Sequence, residues 1–272
     1  MRQVSLDHLT AATLDPVELM QLAAEIGCQA VCLRLSSSPF AEGKKYDVAA
    51  DPSLQAAIRR EATALGVFVG PVEPFNVRDE TKLEEMIPNL DAAAAIGARA
   101  CNIVCYDENV ARREDLIGAF ADQAARRGLR TQLEIFRLCA MNSLEKSLKT
   151  IAAIGRADVG LNVDSLHLTR TGATMAQLAA VPPALILHAQ INDGPKVMPE
   201  DQQWDEATKE RKMPGEGEFD LLNFVRAIPN HALIGVEVPS RTLAAQGIDI
   251  RERSRRAVAA TRKVIEQALG HA

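Results

Sequence analysis

The sequence has few cysteines, no long apolar run and no excess of positive charge. Its 272 residues include five cysteines, an odd number that lacks the paired spacing of a zinc knuckle. We therefore expect these thiols to be reduced and buried, and the protein to be cytoplasmic. No run approaches the roughly 18 apolar residues of a membrane span. The net charge of −5 argues against nucleic acid as a partner.

A glycine-rich phosphate turn is also missing after the first predicted strand, in residues 8–12. An open, doubly wound sheet would normally carry one there. What the chain does contain is a strict alternation of short apolar segments and longer amphipathic ones. Strands are predicted at 4–7, 30–35, 67–72, 100–104, 130–135, 159–164, 185–191 and 232–238. Eight such units in a chain of this length predict an α/β fold, a single (β/α)₈ TIM barrel spanning residues 1–272 as one domain.

Four consecutive predicted strands end on an oxygen-bearing side chain, namely Glu134, Asp164, Gln190 and Glu237. In a (β/α)₈ barrel the carboxyl ends of the strands meet at one mouth, so these groups should converge. Three carboxylates about 4 Å apart repel one another by roughly 4 kcal/mol per pair at an effective dielectric constant near 20. A divalent cation bound by all four groups would remove that cost. An all-oxygen site favours Mg²⁺ or Mn²⁺, with Zn²⁺ or Co²⁺ as alternatives.

Further polar residues near the predicted mouth are candidates for contacts with a substrate. His167 lies three residues after Asp164, in the predicted loop over the mouth, where it could hold or protonate a substrate hydroxyl. Cationic loop residues could bind a carboxylate or a phosphate, although surface arginines and lysines are usually only solvated. The long loop around Trp204 is interpreted as a lid, a fixed insertion or an oligomer contact. The candidates for substrate binding are His188, Arg170, Lys196, Arg34 and Glu73.

The same strand-end residues resemble those of the xylose-isomerase-like barrel superfamily of sugar and sugar-phosphate isomerases and epimerases. That superfamily places Glu, Asp, His or Gln, and Glu at the ends of strands five to eight around a divalent metal. The segments 133–135, 162–167, 188–193 and 236–238 match in order and spacing, and 214–220 resembles the family's glycine-rich turn before helix seven. The resemblance covers nearly the whole chain.

The resemblance implies metal-assisted proton transfer next to a carbonyl, with Glu134 and Glu237 as ligands that also move protons. Gln190 stands where ketose epimerases usually carry His, and it resembles the hydroxypyruvate-isomerase and 3-dehydroshikimate-dehydratase branches. Ala140 stands where ketose 3-epimerases carry another acid. The expected substrate is a small carbohydrate-like molecule or hydroxy-ketone, and a homo-oligomer remains open. The alternative reaction is the elimination of water from the substrate. The alternative from a different functional class is a sugar-binding barrel without catalytic activity. A nuclease of related fold would need more than five histidines.

Overall fold

Eight parallel strands form a closed barrel in their order along the chain. The computed structural model describes residues 2–39 and 42–270. Because each strand pairs in parallel with both neighbours and β8 closes onto β1, the predicted TIM barrel is confirmed. The strands are β1 (Val4–Asp7), β2 (Ala30–Arg34), β3 (Phe68–Val77), β4 (Ala100–Cys105), β5 (Arg130–Glu134), β6 (Val159–Asp164), β7 (Ile186–Ile191) and β8 (Leu233–Val236).

Helices connect the strands and cover the outside of the barrel. Several begin at an N-cap side chain: the Asp15 carboxylate accepts hydrogen bonds from the backbone N–H groups of Val17 and Glu18. Gly66 ends α2 in the left-handed conformation, with φ of 65°. The helices are α1 (Pro16–Glu25), α2 (Pro52–Leu65), α3 (Leu83–Ala95), α4 (Val110–Ala125), α5 (Leu144–Ile154), α6 (Ser165–Arg170), α7 (Met175–Ala179), α8 (Gln203–Thr208), α9 (Leu221–Ala227), α10 (Arg241–Ala245) and α11 (Ile250–Leu269).

Two predicted loops contain helical structure instead. His167 lies in α6, because Asp164 ends β6 and accepts hydrogen bonds from the backbone N–H groups of Leu166 and His167, so the helix starts at once. The long segment after β7 includes a 3₁₀ turn at Glu200–Gln202 followed by α8, which carries Trp204. Periodicity could not indicate such short helices, since each is less than two turns long.

The interior of the barrel is partly polar. Asn102, Gln132, Asn162, His188 and Gln190 are all buried and come from β4 to β7. Asn162 donates to the Gln190 amide oxygen (2.7 Å), and Gln132 donates to Asn102 (3.4 Å). The apolar core lies mainly between the strands and the helices. All five cysteines are buried and free, as predicted. Within the described residues, no helix is long and apolar enough to cross a membrane.

Candidate functional site

A cavity of about 330 Å³ opens at the carboxyl ends of the strands. We call it the mouth cavity. Its floor includes the carboxylates of Glu134 and Glu237, and one wall is aromatic. His167 is fixed there by Phe136, whose ring centroid lies 4.5 Å from that of the imidazole at an interplanar angle of 78°. The residues that line the cavity include Arg34, Glu73, Arg78, Tyr106, Glu134, Phe136, His167, Trp204, Arg211 and Glu237.

A buried arginine joins two of the predicted ligands. Arg211 Nη1 lies 2.8 Å from Asp164 Oδ2 and 2.6 Å from Glu237 Oε2. Its Nη2 donates to the Ala207 carbonyl at 2.6 Å, which ties the guanidinium to the end of α8. All three charged side chains are almost wholly inaccessible to solvent. One guanidinium nitrogen therefore occupies the space between two carboxylates that were predicted to share a metal ion.

Glu134 has a different environment. Its Oε2 accepts a hydrogen bond of 2.5 Å from Asn102 Nδ2, and its Oε1 lies 3.8 Å from His167 Nε2. Burial raises the pKa of Glu134 to about 8, helped by the negative charges of Glu73 and Asp164. Burial also lowers the pKa of His167 to about 4, so this imidazole is neutral at pH 7. Glu134 and His167 thus form a pair in which either member can carry a proton to a ligand.

The other carboxyl groups of the mouth differ in their preference for protons. Burial raises the pKa of Glu237 well above its usual value, and nearby Glu73 adds to that. Burial also acts to raise the pKa of Asp164, but Arg211 and the hydrogen-bond donors outweigh it, so that pKa is lowered. A single guanidinium cannot fully neutralise two carboxylates. The pKa of Glu73 is likewise raised by burial.

Gln190 is held by hydrogen bonds to buried side chains of the barrel. Its amide oxygen accepts the bond from Asn162, and its Nε2 donates to Asp7 Oδ2 at 3.2 Å. Gln190 and Asp164 are both fully buried, and neither is among the residues that line the mouth cavity. An amide oxygen has two lone pairs, so the bond from Asn162 leaves one acceptor position on Gln190.

The other predicted substrate contacts fall in two groups. Arg34, Glu73 and His167 line the mouth cavity. His188 instead lines a second cavity, together with residues at the opposite, amino ends of the strands such as Phe68 and Arg130. The structure therefore does not bring His188 to the mouth.

Two cations that were predicted to lie in loops are also held away from the mouth cavity, and one of them, Arg170, is the last residue of α6. The Arg170 guanidinium is bound by both carboxylate oxygens of Glu206 (2.8 and 2.5 Å) and by the Pro195 and Lys196 carbonyls. Lys196 is exposed and, like Arg170, is not among the residues lining the mouth cavity. Arg170 therefore anchors the segment after β7 to α6, which is a structural role in this arrangement.

Sequence reasoning missed two residues of the central cluster. Asp7 ends β1 and accepts hydrogen bonds from Ser5 (2.6 Å) and Gln190. It follows the same strand-end pattern as Asp164, and that signal could have identified it. Arg211 lies between Glu210 and Lys212 in the long segment after β7. Nothing in the sequence separates it from its charged neighbours; only the fold shows that it turns inward.

The donor set suits a hard divalent cation, although the side chains as placed do not enclose one. Within residues 2–39 and 42–270, no three His, Cys, Asp or Glu side chains are arranged to hold a metal together. Arg211 draws Asp164 and Glu237 toward itself instead. Glu134 lies outside this ion pair, and its neighbour at 3.8 Å is the neutral imidazole of His167, so no cation of the described residues contacts its carboxyl group. Glu134, Asp164, Gln190 and Glu237 offer only oxygen, which fits Mg²⁺, Mn²⁺ or an equivalent ion.

Residues 20–264 match the family model described as the xylose isomerase-like TIM barrel. The chain belongs to the xylose isomerase-like TIM-barrel family. Its barrel is similar to that of the IolI protein with a bound zinc atom, at 19% identity and a TM-score of 0.83 over 100% of both chains. It is also similar to D-psicose 3-epimerase, at 15% identity and a TM-score of 0.73, covering 97% of this chain and 99% of the other.

A curated relative of this xylose isomerase-like chain is a 3-dehydroshikimate dehydratase from Pseudomonas aeruginosa. The two are 25% identical over 184 residues, which is 63% of this chain. The aligned part is 29% of the relative's length, so the chain spans less than a third of that protein. An epimerase and a dehydratase are thus among the proteins to which this chain is similar.

Proposed function

We propose that this protein is a divalent-metal-dependent isomerase or epimerase that transfers a proton at the carbon next to a carbonyl of a sugar, sugar phosphate or related hydroxy-ketone. The observation that carries the proposal is the pair of buried carboxyl groups, Glu134 and Glu237, that enter one cavity from β5 and from the end of β8. These strands are three positions apart in an eight-stranded ring, so the two acids face a bound molecule from different sides.

Glu134, Asp164, Gln190 and Glu237 are the residues that would hold the cation. When bound, it would polarise the substrate's carbonyl group and so acidify the neighbouring C–H bond. Either Glu134 or Glu237 takes the proton from that carbon, and the other can supply a proton on the opposite side. His167 lines the cavity, and its neutral imidazole can donate one hydrogen bond to a substrate hydroxyl. Phe136 and Trp204 exclude water from one wall of the cavity.

Deuterium exchange tests this proposal whichever product the reaction forms. The protein is incubated in D₂O with Mn²⁺ and a panel of hydroxy-ketones, phosphorylated and not, and the carbon-bound protons are followed by NMR. We expect exchange next to the carbonyl of at least one compound, and we expect EDTA or Glu237→Gln to abolish it. A sugar-binding barrel without catalysis would bind a panel member tightly in the presence of EDTA and exchange nothing, which would refute the proposal.

A dehydratase acting on a cyclic hydroxy-ketone is the second candidate. It is favoured by the sequence match to the 3-dehydroshikimate dehydratase and by Gln190 at the strand-seven position. The reaction begins with the same proton abstraction, but the β-hydroxyl then leaves as water. Incubation with 3-dehydroshikimate distinguishes the two, because the dehydratase would produce the ultraviolet absorption of an aromatic product and the isomerase would not.

A further inference from the structure

Three arginines line the mouth cavity, and only one of them is engaged by carboxylates. Arg211 is bound by Asp164 and Glu237. Arg34 and Arg78 line the same cavity on the side of β2 and β3. In the part of the chain that the structure describes, the ion pairs of the mouth involve Arg211, and neither Arg34 nor Arg78 forms one. The charge of Arg34 acts on its neighbour Glu73, but neither Arg34 nor Arg78 is in ion-pair contact with a carboxylate of the described residues.

Arg34 is built into the barrel rather than carried on a loose loop. It is the last residue of β2, it pairs in register with Glu73 of β3, and its backbone N–H donates to His8 Nδ1 at 3.2 Å. Its side chain is half-buried, and its Nε is shielded from solvent without a hydrogen-bond partner. Because burying an unpaired donor is unfavourable, this group is suited to an acceptor brought by a ligand.

Arg78 follows the end of β3 and lines the mouth cavity on the same side as Arg34. Its guanidinium carbon is 4.2 Å from the centroid of the Tyr106 ring, so the ring supports one face of the guanidinium. The N–H edges of a guanidinium stacked in this way remain available for in-plane hydrogen bonds. Guanidinium groups bind carboxylate and phosphate oxygens in this plane, often with two parallel bonds.

We propose that the substrate carries an oxyanion, a carboxylate or a phosphate, which binds to Arg34 and Arg78. This proposal rests on the proposed function, because it puts the reacting carbonyl end of the same molecule at Glu134 and Glu237. The anionic end then lies on the β2–β3 side of the ring and the reacting end on the β5–β8 side. A cavity of about 330 Å³ suits one small molecule that spans both.

Matched pairs of ligands test this assignment through Trp204, the single tryptophan, which lines the cavity. Quenching of its fluorescence is titrated with D-xylulose and D-xylulose 5-phosphate, and with 3-dehydroshikimate and its methyl ester. We expect the anionic member of at least one pair to bind about tenfold more tightly than the neutral one. A preference within the first pair identifies a phosphate, and one within the second pair a carboxylate.

Substitutions then assign the preference to residues. Arg34→Gln should lower the affinity for the anionic compound by about tenfold and leave that for the neutral compound nearly unchanged. Arg34→Lys, which keeps the charge, should recover part of the loss. Arg78→Gln, at an exposed position, gives the same test if the Arg34 variants do not fold. Arg60→Gln removes an exposed arginine from the outer helix α2 and should change neither affinity.

Equal affinities within both pairs would overturn the proposal, as would no saturable response to either anionic compound at millimolar concentration. A loss that affects neutral and anionic compounds alike in Arg34→Gln and Arg78→Gln would also overturn it. Failure of the proposed function would look different: the anionic compounds would still bind with this preference, but no metal-dependent deuterium exchange would follow.

Discussion

At the scale of single residues, the loss of Arg211 is expected to have the largest electrostatic effect on stability. Replacing it with Met leaves Asp164 and Glu237 buried without their shared cation. We expect Arg211→Met to lower the free energy of unfolding by about 3–5 kcal/mol, because removing one member of a buried ion pair leaves the other charge buried without a partner. Urea denaturation of EDTA-treated protein measures this. Added Mn²⁺ should recover part of the loss, since it can replace the missing positive charge.

The surface pair of Arg241 and Asp205 provides the control for that experiment. The two groups are 2.8 Å apart, but their side chains are 57% and 42% exposed. Water and salt screen such a pair, so Arg241→Met should change the unfolding free energy little. If Arg211→Met proves as stable as the parent protein without metal, then Arg211 does not neutralise the buried acids as described.

At the scale of elements, the seam between β8 and β1 depends on the absence of a side chain. Gly235 faces the carboxyl group of Asp7, and a Cβ added there would lie 2.3 Å from Asp7 Oδ2. We expect Gly235→Ala to lower the free energy of unfolding by about 1–3 kcal/mol through overpacking, as measured by chemical denaturation. Asp7 would have to move, and its bond to Gln190 would be disturbed.

Gly118, which lies on a helix, provides the control for Gly235→Ala. Gly118 lies within α4, and a Cβ there would meet its nearest atom, Ile154 Cγ2, at 4.0 Å. Gly118→Ala should therefore stabilise the protein by about 0.5–1 kcal/mol, because alanine loses less backbone freedom in a helix. Destabilisation by both alanines to a similar extent would show that the close approach at Gly235 is not the cause.

The elements were largely predictable from the sequence, whereas the contacts between their ends were not. The alternation of short apolar runs with longer amphipathic segments predicted all eight strands, because such patterns depend on residues close in the sequence. Gly235 and Glu237 are two residues apart, a spacing that puts both on one face of a strand, and the approach of Asp7 to Gly235 shows that this face is the inward one. The inward turn of Arg211 depends on the path of a long segment after β7, which local signals do not determine.

At the scale of the whole molecule, the barrel gathers acids from five strands or strand ends into one desolvated centre. Asp7, Glu73, Glu134, Asp164 and Glu237 are all buried there. No single βα unit contains this group of acids; it is complete only when β8 closes onto β1. The central claim is that a divalent cation, in addition to Arg211, is what this closed arrangement binds.

Calorimetric titration of EDTA-treated protein with Mn²⁺ tests that claim most directly. We expect the parent protein to bind a single ion per chain, and Glu237→Gln to bind it at least about tenfold more weakly because it loses a charged ligand. Glu84→Gln, which alters an exposed acid at the start of α3, should bind as the parent does. No saturable binding by the parent protein, or equal binding by Glu237→Gln, would contradict the account.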